Sequence, residues 1–217
     1  MNICTLCGDC TEHYSQDKRR DYFECQSCSL VQVPKEQRLS LIEEKVEYDK
    51  HENNADDLGY RRFLFRMLDP MLEALTGRDK ANLLGLDFGS GPEPVLQRMF
   101  FERGVKQHIY DIFYAPDTSP LDVNSHYDFI TTTEVVEHLH APGFELERLW
   151  SLLTAGGVLG VMTKRVTSLE AFQQWHYKND PTHVCFFSIA TFEYLAQKWG
   201  AELSVISNDV VFLKKKF

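Results

Sequence analysis

The sequence lacks long apolar runs and an excess of positive charge. No stretch of its 217 residues approaches the ~20 consecutive apolar residues that a helix needs to span a bilayer. The first residues contain no basic segment followed by an apolar run, so we find no secretory signal and expect a cytoplasmic location. Lys and Arg number 23 against 32 Asp and Glu, a net charge of -9. Because nucleic-acid binders usually carry a basic footprint, this deficit disfavours nucleic acid as the substrate, although a local basic patch could suffice.

Cysteine is scarce outside the first 28 residues, which contain five of the six. The pairs Cys4/Cys7 and Cys25/Cys28 are separated by 17 residues. In a reducing compartment, two Cys-x-x-Cys pairs are more typical of metal ligands than of disulfides, and four thiolates at this spacing suit a tetrahedral Zn²⁺. We therefore predict a structural zinc ribbon over residues 1–35. Cys10 leaves one alternative, in which Cys7 and Cys10 form the first Cys-x-x-Cys pair of metal ligands.

Charged and helical segments follow the first cysteine pair. Lys18, Arg19 and Arg20 lie where a hairpin tip is expected and could contact an anionic partner, although such a tip is commonly only solvated. Residues 36–80 are predicted to be a helical linker or lid, with apolar residues at helical spacing over 63–75. Pro70 predicts a kink or restart in this helix.

Residues 81–217 alternate apolar runs with amphipathic segments. This alternation predicts an α/β, Rossmann-like domain with a mostly parallel sheet. A tight turn at 207–209 predicts that the last strand is antiparallel. The predicted strands lie near 83–88, 107–111, 127–133, 157–164, 201–207 and 209–215, and the helices near 92–103, 142–153, 168–175 and 188–199.

A glycine loop, Gly89-Ser90-Gly91, follows the first apolar run of this domain and precedes a helix. Glycines allow a sharp turn and close approach to a ligand. A third glycine is missing, and Glu93 at the helix start would repel a pyrophosphate, so a phosphate-free nucleoside with a cationic sulfonium fits better. Asp111, 22 residues after Gly89, is placed to accept hydrogen bonds from ribose hydroxyls. Asp87 could accept from the ligand's ammonium group.

From Leu83 onward the chain resembles the class I S-adenosylmethionine-dependent methyltransferases. The motifs are LDFGSG at 86–91, YDFI at 127–130 with EVVEHL at 134–139, and LLTAGGVL at 152–159, in the family's order. The resemblance implies that Thr133 and Glu134 line the cofactor pocket. In this family a helix and a third strand follow the ribose-binding acid. The segment between Asp111 and the strand predicted at 127–133 is too short to contain both, so the third strand is expected to be very short or missing. Asp122 is the best candidate for binding the adenine amine.

Acidic and imidazole side chains follow the fourth and fifth strands. Methyl transfer to a hydroxyl needs a positioned nucleophile and a proton acceptor, and the candidates are Glu137, His138, Asp180 and His183. Alternatively, a divalent metal could be bound by Glu134, Glu137, His138 and His183. This grouping resembles the Glu-x-x-Glu-His motif of ubiquinone-biosynthesis O-methyltransferases and of small-RNA 3′-terminal 2′-O-methyltransferases.

The resemblance implies an S-adenosylmethionine-dependent methyltransferase, and O-methylation of a small molecule is the leading hypothesis. In one alternative, the substrate is RNA or protein and the zinc ribbon recognises it. In another, the protein binds S-adenosylmethionine without catalysis and acts as a regulator. N-terminal additions often cover the substrate site in this family, which favours a lid role for 36–80.

Overall fold

The computed structural model describes residues 2–50 and 56–216. These residues form ten strands and six α-helices. The strands are β1 (Thr11–Gln16), β2 (Asp21–Cys25), β3 (Val31–Gln32), β4 (Leu84–Phe88), β5 (Lys106–Tyr110), β6 (Tyr127–Thr133), β7 (Leu153–Met162), β8 (Cys185–Phe186), β9 (Glu202–Val205) and β10 (Val210–Lys214). The helices are α1 (Leu41–Tyr48), α2 (Leu58–Ala74), α3 (Val95–Glu102), α4 (Pro142–Leu152), α5 (Leu169–Gln173) and α6 (Ile189–Trp199).

The larger sheet has six strands in the order β5-β4-β6-β7-β10-β9. The pairs β4–β5, β4–β6 and β6–β7 are parallel. Strand β10 is antiparallel to both of its neighbours, β7 and β9. This confirms the Rossmann-like fold with an antiparallel last strand. The four parallel strands place their carboxyl ends at one edge, which is where such sheets bind ligands.

The region of the expected third strand is shortened, as predicted. Between β5 and β6 the chain makes an isolated bridge from Asp111 to Ala115 and a short 3₁₀ helix at Ser119–Leu121, with no strand in this described segment. Tyr127 already begins β6, so the chain crosses from the carboxyl edge of the sheet to its amino edge in very few residues.

Helix α2 packs its apolar side on the larger sheet. Leu64, Met67, Leu68 and Met71 are buried and share a core cluster with side chains of α3, β6 and β7. The helix runs through Pro70, so the alternative of a restart at this residue is wrong. Because buried side chains flank Pro70 on both sides, packing on the sheet stabilises the helix despite the lost backbone hydrogen bond.

The cysteine-containing segment forms a second sheet, in the order β1-β2-β3-β8. Its last strand comes from the far end of the chain, with Val31 opposite Phe186 and Gln32 opposite Cys185. The first cysteine turn also lies against α4, because a Cβ on Gly143 would be 2.3 Å from the carbonyl oxygen of Leu6.

The division into 1–35, 36–80 and 81–217 stays a prediction. Residues 1, 51–55 and 217, which belong to these predicted modules, lie outside the described residues. Within the described ranges, no helix is long and apolar enough to span a membrane.

Candidate functional site

The glycine loop lies at the carboxyl edge of the larger sheet, directly after β4. The amides of Gly89 and Ser90 donate to the carbonyl of Tyr110 at the end of β5 (2.7 and 3.2 Å). Gly89 has a φ of +83°, and a Cβ there would lie 2.3 Å from a methyl carbon of Val135. Glycine is therefore required at this position by both the backbone conformation and the close approach of the turn after β6.

Asp111 braces this loop. Its Oδ2 accepts a hydrogen bond from the Gly91 amide (2.9 Å), and its Oδ1 accepts from the amides of Phe113 and Tyr114 (2.9 and 3.0 Å). Each carboxylate oxygen has two lone pairs, so capacity to accept from a ligand remains. The same carboxylate thus fixes the loop and stays available to ribose hydroxyls.

Asp87 is a buried carboxyl group at the end of β4. It accepts a hydrogen bond from the Thr131 hydroxyl (2.8 Å). Burial raises the pKa of Asp87 to about 7 against the opposing effect of Thr131, and the charge of Asp111 raises it further. A buried carboxyl that has lost its hydration favours a cationic ligand. Tyr60, at the start of α2, lies near enough that burial and the charges of Asp87 and Glu134 raise its pKa to about 12.

Thr133 is the last residue of β6, and Glu134 follows it. Glu134 has a φ of +53°, a left-handed conformation that is strained for a residue with a side chain and that clusters at functional sites. Thr133 Oγ1 and Glu134 Oε1 are buried without a hydrogen-bond partner among the described residues. Because unpaired buried oxygens are costly, these two atoms favour a polar ligand in this position.

Asp122 does not lie with the other predicted cofactor-binding residues at the carboxyl edge of the sheet. It is an exposed residue that follows the 3₁₀ helix Ser119–Leu121. The Tyr127 hydroxyl donates to the Pro120 carbonyl (2.8 Å), and the His126 amide donates to the carbonyl of Leu152 (2.7 Å), where α4 ends. These contacts hold the segment at the amino edge of the sheet, because the third strand that would carry it to the carboxyl edge is missing.

Two acidic side chains meet a buried tyrosine beside the glycine loop. The Tyr177 hydroxyl donates a short hydrogen bond to Oε1 of Glu137 and approaches Oε2 of Glu134 (3.4 Å). Burial raises the pKa of Glu137 to about 8, and the charge of Glu134 adds to this. Burial also raises the pKa of Glu134 to about 7, while Lys164 opposes it. Near neutral pH the two carboxyls therefore titrate as a coupled pair. The Tyr177 hydroxyl keeps its proton, because burial and the charges of Glu137 and Glu134 raise its pKa.

The two expected imidazoles lie side by side. The ring centroids of His138 and His183 are 4.6 Å apart. His183 Nδ1 lies 2.7 Å from the Tyr177 carbonyl, and His138 Nδ1 lies 3.2 Å from the Thr182 carbonyl. A carbonyl can only accept, so both Nδ1 atoms are assigned the proton, and the lone pair of a neutral imidazole is then on Nε2.

The structure brings three of the four predicted ligands of a second metal together. One ligand atom from each of Glu137, His138 and His183 lies within 4.8 Å of the others. Glu134 is not part of that group, although it approaches the same tyrosine hydroxyl. Imidazoles whose Nδ1–H groups donate to backbone carbonyls are typical of metal-binding histidines, and the donor set suits a divalent ion.

Asp180 lies at the margin of this cluster. It accepts from the amide and hydroxyl of Thr182 (2.9 and 2.6 Å). Its Oδ2 is 3.9 Å from His183 Nε2. Although burial opposes it, hydrogen bonds from Thr182 and the charge of the imidazoles lower the pKa of Asp180. Burial lowers the pKa of His183, so its imidazole is neutral at pH 7.

Helix α1 lies across this edge of the sheet. Tyr48 packs on the His138 ring with centroids 5.3 Å apart and on Phe113 at 5.6 Å. Near the middle of the helix, the buried Glu44 contacts His140 Nε2 (2.6 Å). These contacts connect the predicted lid to both the segment after Asp111 and the turn after β6.

The four predicted zinc ligands also converge. One sulfur atom from each of Cys4, Cys7, Cys25 and Cys28 lies within 4.8 Å of the others. The Cys4–Cys28 and Cys7–Cys25 distances are 3.5 and 3.3 Å. A tetrahedral Zn²⁺ with bonds of about 2.3 Å needs sulfurs about 3.8 Å apart, so the donor set fits. Cys10 is exposed and lies outside the group.

Three tyrosines of the site were not predicted. Tyr177 lies in an aromatic and polar segment that the sequence already marks, and its neighbours Asp180 and His183 could have suggested it. Tyr48 and Tyr60 carry no such signal, because they occur among charged residues of helical segments. Only the docking of α1 and α2 on the sheet brings them to the carboxyl edge.

Comparisons with known proteins agree with this fold. A family model described as a methyltransferase domain matches residues 60–205. No curated protein matches the chain. Among solved structures, it is similar to an S-adenosylmethionine-dependent methyltransferase from Archaeoglobus fulgidus, at 14% identity and a TM-score of 0.53, covering 79% of this chain and 99% of that chain.

Two further structures are similar to it. One is a chain from the complex between the Haloferax volcanii Trm112 methyltransferase activator and a methyltransferase, at 11% identity and a TM-score of 0.50, covering 79% of this chain and 98% of that chain. The other is the CurJ carbon methyltransferase, at 13% identity and a TM-score of 0.47, covering 71% of this chain and 54% of that chain. This chain therefore spans about half of the CurJ chain. Since the family model covers most of the sequence, the chain belongs to the methyltransferase domain family and is an S-adenosylmethionine-dependent methyltransferase of class I.

Proposed function

We propose that this enzyme methylates a hydroxyl oxygen of a small molecule and that His183 accepts the hydroxyl proton. The observation that carries the proposal is the cluster of His183, His138, Glu137 and Tyr177 beside the glycine loop. It supplies a neutral imidazole at the sheet edge where the cofactor is expected. Proton removal by a positioned side chain is the step that a hydroxyl nucleophile needs.

The cofactor would be held by residues of β4, β5 and β6. Asp87 would accept from its ammonium group, Asp111 from its ribose hydroxyls, and the unpaired oxygens of Thr133 and Glu134 from its remaining donors. The Gly89–Gly91 loop would allow its close approach. S-adenosylmethionine, when bound, supplies the methyl group for an in-line displacement. Asp122, at the other edge of the sheet, is not assigned to the adenine ring.

His183 is oriented for proton acceptance. The Tyr177 carbonyl holds the proton on Nδ1, which leaves Nε2 to act as the base. Asp180, 3.9 Å from Nε2, would stabilise the imidazolium once it forms. Glu137 and His138 would then orient the substrate.

A divalent metal on Glu137, His138 and His183 is the second version of the same function. The donor geometry fits, and the unpaired buried Oε2 of Glu137 would gain a partner. Such an ion would bind the substrate hydroxyl and lower its pKa. In this version His183 is a ligand rather than the base.

We also propose a structural zinc ion at Cys4, Cys7, Cys25 and Cys28. A segment this short cannot bury enough apolar surface to fold alone, and the spacing of its sulfurs suits tetrahedral coordination. Recognition of RNA by this segment is disfavoured, since Arg20 is buried at 8% exposure and only Lys18 and Arg19 remain exposed at the hairpin tip.

Transfer of labelled methyl groups tests the proposal. The enzyme, with methyl-labelled S-adenosylmethionine, is incubated with separate small-molecule, RNA and protein fractions. We expect label in small-molecule ethers, loss of transfer in His183→Gln, and normal transfer in His176→Gln, which changes an exposed histidine of the same segment. Loss of transfer on treatment with EDTA, and its recovery with added divalent ion, would favour the metal version. Label confined to RNA or protein would contradict the small-molecule assignment.

A further inference from the structure

The tip of the β1–β2 hairpin reaches the segment that carries His183. Arg20, just before β2, is buried at 8% exposure, in contrast to its exposed neighbours Lys18 and Arg19. A buried guanidinium needs hydrogen-bond acceptors for its five donors. It therefore requires an interior partner within this protein.

That partner is the backbone of residues 178–183. Nη1 of Arg20 donates to the carbonyls of Pro181 (3.2 Å) and His183 (2.8 Å). Nη2 donates to the Asp180 carbonyl (3.0 Å) and makes a short hydrogen bond to the Lys178 carbonyl. The loop thus curls around one planar cation, which fixes the directions of four carbonyl groups.

Two other carbonyls of the loop contact the imidazoles of the reaction centre. The Tyr177 carbonyl accepts from His183 Nδ1, and the Thr182 carbonyl accepts from His138 Nδ1. The carbonyls that bind Arg20 therefore lie in the same short stretch of backbone as those that orient the two imidazoles. A change that releases the carbonyls from Arg20 should therefore also move the carbonyls that orient His183 and His138.

The hairpin tip is itself fixed on the loop. Asp17 accepts from the Arg20 amide (3.0 Å), from the Tyr22 hydroxyl (2.7 Å) and from Nζ of the buried Lys178 (3.1 Å). At the other end of the loop, the Val33 amide donates to the carbonyl of Val184 (2.9 Å). The cysteine-containing sheet consequently holds both ends of the histidine loop.

We propose that Arg20 is a positioning residue for the reaction centre, and that the cysteine-containing sheet orders the His183 loop from within the same chain. The expected effect on turnover rests on the proposed role of His183. The expected effect on the order of the loop does not depend on that role. The Arg20 guanidinium contacts loop carbonyls and none of the residues proposed to hold the cofactor, so its removal should affect transfer and leave cofactor affinity unchanged.

Backbone hydrogen exchange of Arg20→Ala and Arg19→Ala tests this proposal. In Arg20→Ala, the amides of 177–184 should exchange about tenfold to a hundredfold faster, because hydrogen bonds to a charged group are lost. Turnover should fall about tenfold to a hundredfold, as for other residues that orient site groups. The affinity for S-adenosylmethionine and the zinc content should stay within about twofold of wild type. Arg19→Ala should match wild type in every measurement.

Two further variants complete the test. If Arg20→Ala does not fold, Arg20→Lys decides, since a single ammonium reaches fewer carbonyls and should give intermediate exchange. His183→Gln should stop methyl transfer while the amides of the loop still exchange slowly. Transfer that persists in this variant would contradict the role of His183 without affecting the proposal for Arg20. Exchange of 177–184 in Arg20→Ala or Arg20→Lys at the wild-type rate would overturn the proposal.

Discussion

The carboxyl group of Asp87 should make cofactor binding depend on pH. Burial raises its pKa to about 7 in the cofactor-free protein, so about half of it is protonated at neutral pH. The ammonium group expected beside Asp87 favours the ionised form. Binding should therefore release the proton, and a lower pH should weaken binding.

The magnitude follows from the ionised fraction. With a pKa of about 7, about half of Asp87 is ionised at pH 7 and about one-eleventh at pH 6. If only the ionised form binds the ammonium group, the dissociation constant of S-adenosylmethionine should be about fivefold larger at pH 6 than at pH 7. About half a proton should be released for each cofactor bound at pH 7. The range stays below about pH 7.7, where an α-amino group itself titrates.

Isothermal titration calorimetry measures both quantities. Titrations at pH 6, 6.5 and 7, each in two buffers with different ionisation enthalpies, give the dissociation constant and the number of protons released. Asp87→Asn should bind about tenfold to a hundredfold more weakly at pH 7, because a charge-assisted hydrogen bond is lost, and its affinity should no longer change with pH. Glu93→Gln, which changes an exposed carboxylate beside the same loop, should keep the wild-type profile.

Two results would refute this reasoning. A wild-type affinity that does not change between pH 6 and 7 would mean that the Asp87 carboxyl does not meet the cofactor cation. An unchanged pH dependence in Asp87→Asn would assign the proton to another group. Glu134 is then the first alternative, since burial raises its pKa to about 7 as well.

Three other substitutions probe the lid, the carboxyl cluster and the cysteine site. Tyr177→Phe should lower the free energy of unfolding, measured in urea, by about 1–3 kcal/mol, because a buried Glu137 oxygen loses its donor; an unchanged value would show that this hydrogen bond contributes nothing to stability. Cys28→Ser should lose the zinc measured by mass spectrometry and melt at a lower temperature, whereas Cys10→Ser should retain one ion per chain. Tyr48→Ala should speed proteolysis within α1, since the helix loses its packing on the site; equal cleavage rates would count against a docked lid.

The six strands predicted for 81–217 are confirmed, with small differences at their ends. Short apolar runs between glycines and prolines identify such strands from sequence alone. Strand β7 begins at Leu153 rather than near 157, because Leu153 pairs with Tyr127 before a shift in register. The two-residue strand β8 was not predicted, since its pairing with β3 depends on residues more than 150 positions away.

The site was predictable where its residues follow strand ends. Three of its residues, Gly89, Asp111 and Glu137, lie at the carboxyl edge. Parallel strands bring their carboxyl ends together at one edge of the sheet regardless of the conformation of the connecting loops. Asp122 was not placed correctly by this reasoning. Its position depends on a loop whose route is set by contacts with β6 and α4, and no local pattern encodes that route.

Sequence alone determined the fold class, the carboxyl-edge candidates and the two cysteine pairs, because each depends on local periodicity or on spacing. Only the tertiary structure decided that Arg20 is turned inward onto the His183 loop, that Tyr177 joins Glu137 to Glu134, and that Tyr48 of α1 packs on His138. These contacts join residues up to about 160 positions apart, as from Arg20 to His183. Their formation depends on how sheets and helices pack, and packing is a property of the whole chain rather than of any segment.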